Sequence, residues 1–435
     1  MDTPPKNLSV GAINPYALTE AMLGRTIDWQ NPKSIQIMEN VLETDYHELF
    51  DMKFNSPVFA GLKLNSANMA EPLNETEIKV RNLNEVTTPD FSSLKTLSDI
   101  RKMGVDNIDT LTVKSGRLTN GNLNLNIKVP QFDKTISKSV ITPTMRNILF
   151  GKVDSSNDWT PSNGVWKDMG DFFKDVTEYN DPIQGAIGNC YFIAAMAAVA
   201  WSDPYSISHK VRATSTSETA RLNAIQFYSK GGGKDAPTKL VEVTDSTLVQ
   251  TSNNSPIYCR SNDPGEIWPS LYEKAFAKWI TETTSDKPDI TQTAYGDPAK
   301  ATAQLNNKTP LYYNTDSRTG EQLYSIVREN CSGGKTVHPM TAWTYGSGKD
   351  YTGSNIVGNH AYTILGWAFQ NNKRYIVLRN PWGVTEPAGI NTYQGLLSFF
   401  DNTFWRPISM IGNDGVFALE ADSFKNYFAC MGVAK

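Results

Sequence analysis

A cysteine, a histidine and an asparagine held together can break an amide bond, and this chain carries one such set. Cys190 stands at the start of the apolar run CYFIAAMAAVAW. On a helix, the unpaired N–H groups and dipole at that end favour an anion, which lowers a thiol pKa and makes thiolate accessible near neutral pH. His360, one of four histidines, opens an apolar run after Gly358-Asn359, and Asn380 closes the next run just before Pro381-Trp382-Gly383. Neighbouring antiparallel strands would bring the start of one beside the end of the other. The imidazole then takes the thiol proton and later protonates the leaving amine, while the amide orients the ring and fixes its tautomer. Gln184, six residues ahead of Cys190 in DPIQGAIGNC, is placed to donate to the oxyanion, with the Cys190 backbone N–H as second donor. Gly185 and Gly188 let that loop fold tightly and bring backbone close to a substrate.

These side chains need elements to position them. Residues 190–201 are apolar on every side, which suits a helix at the centre of a domain; Gly188-Asn189 precede it and Ser202-Asp203-Pro204 stop it. A second helix is expected over 266–280, EIWPSLYEKAFAKWI, with Leu271, Phe276 and Trp279 for a core face. After Gly296-Asp297-Pro298 the texture becomes strand-like, and HAYTILGWAF and RYIVLRNPW flank Gln-Asn-Asn-Lys as the arms of a hairpin. Helices followed by strands indicate an α+β arrangement with a cleft between two lobes.

The N-terminal third has another character. Helical spacing is expected over 41–53 and 92–103, and a small antiparallel element over 110–129, where Leu123, Leu125, Ile127 and Val129 alternate with polar residues. The expected division is an N-terminal domain over 1–152 and a linker, rich in Ser, Asn, Asp and Pro, over 153–165. A helical, cysteine-bearing lobe over 166–296 and a β lobe with the histidine and asparagine over 297–435 complete it. Nothing in 1–150 carries recognisable chemistry, and the N-terminal domain is read as a regulatory or inhibitory pro-segment.

Composition excludes several classes. With 41 basic and 45 acidic residues the formal charge is −4, so no basic excess points to nucleic acid. Four cysteines, at 190, 259, 331 and 430, form neither a disulfide scaffold nor a CxxC zinc site, and His47, His209 and His338 have no metal spacing. The N-terminus lacks the basic start and apolar run of a secretory signal, and no apolar stretch is long enough to span a membrane. The expected location is the cytoplasm, with secretion of a processed chain the alternative.

Five ordered blocks carry a resemblance. QGAIGNCYFIAAMAAVA, GEIWPSLYEKAFAKW, GNHAYTILGW, VLRNPWG and DGVFALEADSFKNYF resemble segments of the calpain family of cysteine proteases, over about 166–435. The resemblance implies a papain-like α+β core of two lobes, preceded here by a small mixed domain, and endoproteolysis through a thioester. Carried over by position, Cys190 is the nucleophile, His360 the general base and acid, Asn380 the orienter and Gln184 the oxyanion donor. Gly188 and Trp382 line the substrate cleft. The family has Asp and Trp beside the nucleophile, where this chain has Asn189 and Tyr191.

Calcium is the ion the resemblance implies. Asp181 and Asp263 match acidic positions of a site in the first lobe; Glu386 and Asp414 match two in the second, where Val416 replaces another. Calcium takes six to eight oxygens, so the second set looks depleted. The expectation is that no cofactor is required and that calcium binds the first lobe weakly or not at all. With no Asp-x-Asp-x-Asp-Gly loop, and no room after Asp414 for the family's C2-like and EF-hand domains, no EF-hand small subunit is expected as partner. Expected partners are protein or peptide substrates, without nucleic acid or a membrane span. The reading is a calpain-like cysteine endopeptidase. Its rivals are a catalytically silent calpain-fold binding module and, less well matched because His is oriented by Asn, a transglutaminase-type acyl transferase.

Overall fold

A computed structural model describes residues 10–12, 76–79, 110–119, 122–129, 134–141, 155–174, 177–208, 211–216, 221–400 and 405–435. The helices expected over 41–53 and 92–103 lie outside the described residues. The chain is a mixed α/β protein with few helices and antiparallel sheets.

In the N-terminal third, strands Thr76–Lys79, Thr110–Thr119, Asn122–Val129 and Lys134–Ile141 form a four-stranded antiparallel sheet in chain order. Thr119 pairs with Asn122 and Val113 with Ile127, the register that a two-residue Asn-Gly connection produces.

The apolar run folds as the helix Cys190–Ser202, in which every residue from Cys190 to Trp201 is buried. It packs on a sheet whose strands run, in spatial order, Pro310–Asn314, Phe428–Ala434, Lys335–Thr344, Ala361–Gln370, Lys373–Arg379, Val416–Glu420 and Thr392–Tyr393. Two side-chain bonds pin helix to sheet: Thr363 Oγ1 donates to the Ala194 carbonyl at 2.8 Å, and Trp201 Nε1 to the Leu365 carbonyl at 2.6 Å. Both acceptors are buried, so the bonds fix the helix's rotation against the 361–370 strand as well as its contact. The hairpin of 361–370 and 373–379 turns at Asn371 and Asn372, whose φ values of 51° and 61° are left-handed, a conformation asparagine tolerates.

The second helix runs Trp268–Ile280, starting at Pro269, whose missing N–H costs nothing in the first turn. Its apolar face joins Phe192, Phe227 and Phe276 in one core; the Phe192 and Phe276 rings stack with centroids 4.0 Å apart.

Two expectations need correction. The chain does not divide into helices first and strands later. Strands Val211–Thr216, Arg221–Phe227 and Lys239–Thr244 form a sheet ahead of the second helix, and helices Pro298–Asn306, Gly320–Glu329 and Ala421–Tyr427 lie among the later strands. Asp297-Pro298 is a helix start, not a breaker: the Asp297 side chain accepts from Lys300 N, and proline occupies the first turn. Nor is 153–165 a free linker over its described part. Trp159 N donates to Lys287 O at 2.8 Å, Asp158 pairs with Lys287 Nζ at 2.9 Å, and Gly164–Asp168 is a strand paired with Ser246–Gln250. Polar composition there satisfies specific partners and does not signal mobility.

Candidate active site

Cys190 is the first residue of its helix and fully buried. Its sulfur accepts the backbone N–H of Ala361 at 3.3 Å, which sets it against the residue that follows His360. His360 is held at the mouth of the strand by its own backbone: its N–H donates to Thr344 Oγ1 at 3.0 Å, and its carbonyl accepts from Thr344 N at 2.9 Å. Asn359 before it takes a left-handed φ of 53°.

Asn380 follows the neighbouring strand, and its N–H donates to Gly415 O at 2.8 Å. Its Oδ1 lies 2.9 Å from His360 Nε2 and also accepts from Trp382 N at 3.1 Å, while its Nδ2 donates to Thr385 O at 3.1 Å. The last two contacts fix the orientation of the amide. Oδ1 is then the atom facing the ring, so Nε2 carries the proton and Nδ1 is the acceptor. His360 Nδ1 has no hydrogen-bond partner among the described residues. The ring is clamped between Tyr362, edge-on at 5.0 Å, and Trp382, tilted at 4.9 Å.

Gln184 sits in the loop before the helix, tied to the asparagine loop because its N–H donates to Pro381 O at 2.8 Å. Its Nε2 donates to two carbonyls, Ile187 at 2.6 Å and Ala12 at 2.5 Å. Gly185 has no room for a side chain, since a Cβ would lie 2.2 Å from the Tyr258 carbonyl carbon. Gly188 lies beside Gly11, and its carbonyl accepts from Tyr295 N at 2.9 Å. The structure thus gathers Cys190, His360, Asn380, Gln184, Gly188 and Trp382, together with Val10, Gly11 and Ala12 from the far end of the chain.

Burial dominates the electrostatics. It pushes the Cys190 thiol up to about 11, only partly opposed by backbone N–H groups of Ala361, Ala12 and the helix start. The lowered thiol pKa expected at a helix N-terminus is therefore not found with the sulfur covered: desolvation of the thiolate outweighs the dipole. Burial also lowers His360 to about 4, against the hydrogen bond from Asn380, which raises it. The pair rests as neutral thiol and neutral imidazole.

Asn189 and Tyr191 serve as anchors. Asn189 Nδ2 donates to Glu273 Oε1 at 2.6 Å and to Thr293 Oγ1 at 3.0 Å, and Tyr191 Oη donates to Thr293 O at 2.8 Å. Glu273, which also accepts from Cys259 N at 3.0 Å, is pushed up to about 7 by burial. Nothing in the helix pattern marks it, because a lone Glu in EIWPSLYEKAFAKWI reads as a solvated position.

The acidic positions fall into two groups. Asp181 and Asp263 come together with Glu266, and one ligand atom from each lies within 4.8 Å of the others. Asp181 is fully buried. Its Oδ2 accepts from Glu178 N at 2.6 Å and Trp268 Nε1 at 2.9 Å, while its Oδ1 has no partner among the described residues. Burial and the charges of Glu178 and Asp263 raise its pKa well above the ordinary range. A buried carboxylate oxygen without a proton donor, beside two further carboxylates, fits a hard cation. Glu386 and Asp414 also meet: Asp414 N donates to Glu386 Oε1 at 3.0 Å, and burial with the Asp414 charge pushes Glu386 up to about 8. The cation facing Asp414 is the buried Arg379 guanidinium, which lowers its pKa against burial. Arg379 also donates to the carbonyls of Asn180 at 2.8 Å and Pro182 at 3.0 Å, joining the two acidic regions.

A cysteine at a helix start beside an Asn-oriented histidine defines a thiol-peptidase type of site, and the comparisons agree with that class. The profile of the calpain family cysteine proteases matches residues 137–435, and the chain belongs to that family. A thiol protease of Porphyromonas gingivalis (strain ATCC BAA-308 / W83) is 29% identical over 453 residues, covering 96% of this chain and 86% of the relative. Mouse calpain-5 is 27% identical over 239 residues, half of this chain and 36% of that protein. Human calpain-8 is 25% identical over 215 residues, 48% of this chain and 28% of that protein. The chain therefore spans about a third of the animal calpains it matches.

Proposed function

We propose that the chain is a calpain-like cysteine endopeptidase acting on protein or peptide substrates. The observation that carries this reading is the single cluster of Cys190 Sγ on Ala361 N–H, with His360 Nε2 and Asn380 Oδ1 2.9 Å apart. The region around the Cys190 helix and the sheet bearing His360 act as the two lobes of a papain-like core, with the cleft along their seam.

With Nε2–H held by Asn380, the lone pair of His360 Nδ1 is the base that accepts the thiol proton. The thiolate adds to the scissile carbonyl, and Gln184 Nε2 with the Cys190 N–H holds the oxyanion. Collapse breaks the C–N bond, and Nδ1–H passes its proton to the leaving amine. Water activated by the same nitrogen adds to the thioester, and the sulfur leaves as thiol. Trp382 and Tyr362 exclude water from the ring. Asp181, Asp263 and Glu266 would hold calcium, which when bound supplies charge neutralisation that orders the loop leading to Gln184.

The silent-module reading has one observation in its favour, the resting neutral pair with the thiol at about 11. Hydrolysis of a quenched fluorescent casein separates the two. The enzyme reading requires turnover by the full chain that Cys190→Ser abolishes; turnover that survives Cys190→Ser, or none with or without calcium, refutes it.

A further inference from the structure

Val10, Gly11 and Ala12 cross the site at Cys190, and each makes a contact of the kind a bound peptide would make. Val10 is 2% exposed and forms an antiparallel bridge with Gly296, whose N–H donates to the Val10 carbonyl at 3.3 Å. Its side chain packs into the core built around Tyr191 and Phe192. The Gly11 N–H donates to the carbonyl of Asn359, the residue before His360, at 3.1 Å, and Asn359 Nδ2 reaches the Gly11 carbonyl at 3.5 Å. The Ala12 carbonyl accepts from Gln184 Nε2 at 2.5 Å, and its N–H is directed at the Cys190 sulfur. Backbone pairing on both sides, an apolar residue in a pocket and a carbonyl on the side-chain amide donor amount to strand-addition recognition of an extended peptide.

The middle position is sterically exclusive. A Cβ on Gly11 would lie 2.2 Å from the Gly188 carbonyl oxygen and 2.6 Å from Tyr295 Cδ1. The nearer atom is backbone in the loop that precedes Cys190, and that carbonyl is itself engaged by Tyr295 N at 2.9 Å. It has no freedom to retreat.

We infer that Val10–Ala12 is a built-in occupant of the substrate cleft, laid along it as a peptide would be, and that the subsite facing Gly11 admits glycine alone. The inference rests on the reading of Cys190 as nucleophile and specifies the substrates of that site: an aliphatic residue, then glycine, then a small residue. It also accounts for the burial of the sulfur, since the occupant lies over it.

Two measurements on the full chain test this. The first compares cleavage of a quenched peptide spanning Ser9–Asn14 with its copy carrying Val in place of Gly11. Turnover of the glycine peptide with kcat/KM at least tenfold above the valine peptide supports the inference, and equal turnover overturns it. The second compares the rate at which a thiol-directed epoxide labels Cys190 in the wild type and in Gly11→Val. The added side chain expels the occupant, so labelling accelerates at least tenfold; an unchanged rate overturns the inference while leaving the nucleophile intact. Absence of both cleavage and labelling in both proteins overturns the catalytic reading itself. The peptide comparison does not depend on how Gly11→Val folds.

Discussion

Replacing Asn380 by alanine removes three hydrogen bonds at one position and separates orientation of the histidine from its presence. Oδ1 serves two donors, His360 Nε2 at 2.9 Å and Trp382 N at 3.1 Å, and Nδ2 serves the Thr385 carbonyl. His360 and Asn380 are fully buried and Trp382 is 6% exposed, so the stranded donors have little access to water. A buried donor left unpaired costs about 1–3 kcal/mol, so two of them sum to roughly 2–6 kcal/mol. Water entering the volume vacated by the amide recovers part of this, and the expected loss is about 2–4 kcal/mol. Urea unfolding followed by tryptophan fluorescence reads it as a lower midpoint at unchanged slope. The imidazole also loses the contact that fixes its tautomer, so labelling of Cys190 should slow about 100-fold, within the usual range of general acid–base effects. Asn380→Asp restores the acceptors but adds a charge beside Nε2, and so raises the His360 pKa from about 4. Stability within about 0.5 kcal/mol of wild type in Asn380→Ala, the range of an ordinary surface substitution, would refute the reasoning.

Three further outcomes follow from the same structure. Burial holds His360 at about 4 against an ordinary 6.5, so protonation opposes folding. Its contribution is complete above about pH 6.5 and lost between there and pH 4, about 3 kcal/mol in all, and His360→Gln should flatten that part of the stability curve. Lys274, 1% exposed and 2.9 Å from Asp286, also donates to the carbonyls of Thr244 and Ser246. Lys274→Met strands the buried carboxylate and should cost about 3–5 kcal/mol by urea denaturation, and adding Asp286→Leu should recover part of the loss. Millimolar calcium should raise the melting temperature by about 2–4 °C through the Asp181, Asp263 and Glu266 group. Asp181→Asn should abolish that rise in calorimetry and Glu386→Gln should leave it.

The elements that carry the site were legible because their patterns are local. A run apolar on every side can only be a buried helix, and Asn-Asn between two apolar runs turns a hairpin; both place their chemical residue at an end. Glu273 and Glu266 were not legible, since a buried carboxylate is recognised by its partners, Asn189 Nδ2 and Ser261 Oγ, which lie elsewhere in the chain or in a loop. The strands over 211–250 are short and lie between two strong helical signals. Val10–Ala12 gave no signal at all, because Ala12 meets Gln184 across 172 residues of chain, and no periodicity encodes such a contact. The thiol's raised pKa has the same origin: the helix start is a property of the sequence, whereas the covering of the sulfur is a property of the fold.

The central claim is that Cys190 is a nucleophile activated by His360. Incubation of the full chain with a thiol-directed epoxide, with and without calcium, followed by peptide mapping by mass spectrometry, tests it most directly. The account predicts one adduct, on Cys190, that disappears in His360→Ala while Cys259, Cys331 and Cys430 stay unmodified. An adduct on Cys190 that forms equally fast in His360→Ala, or modification of the other cysteines at the same rate, would contradict it.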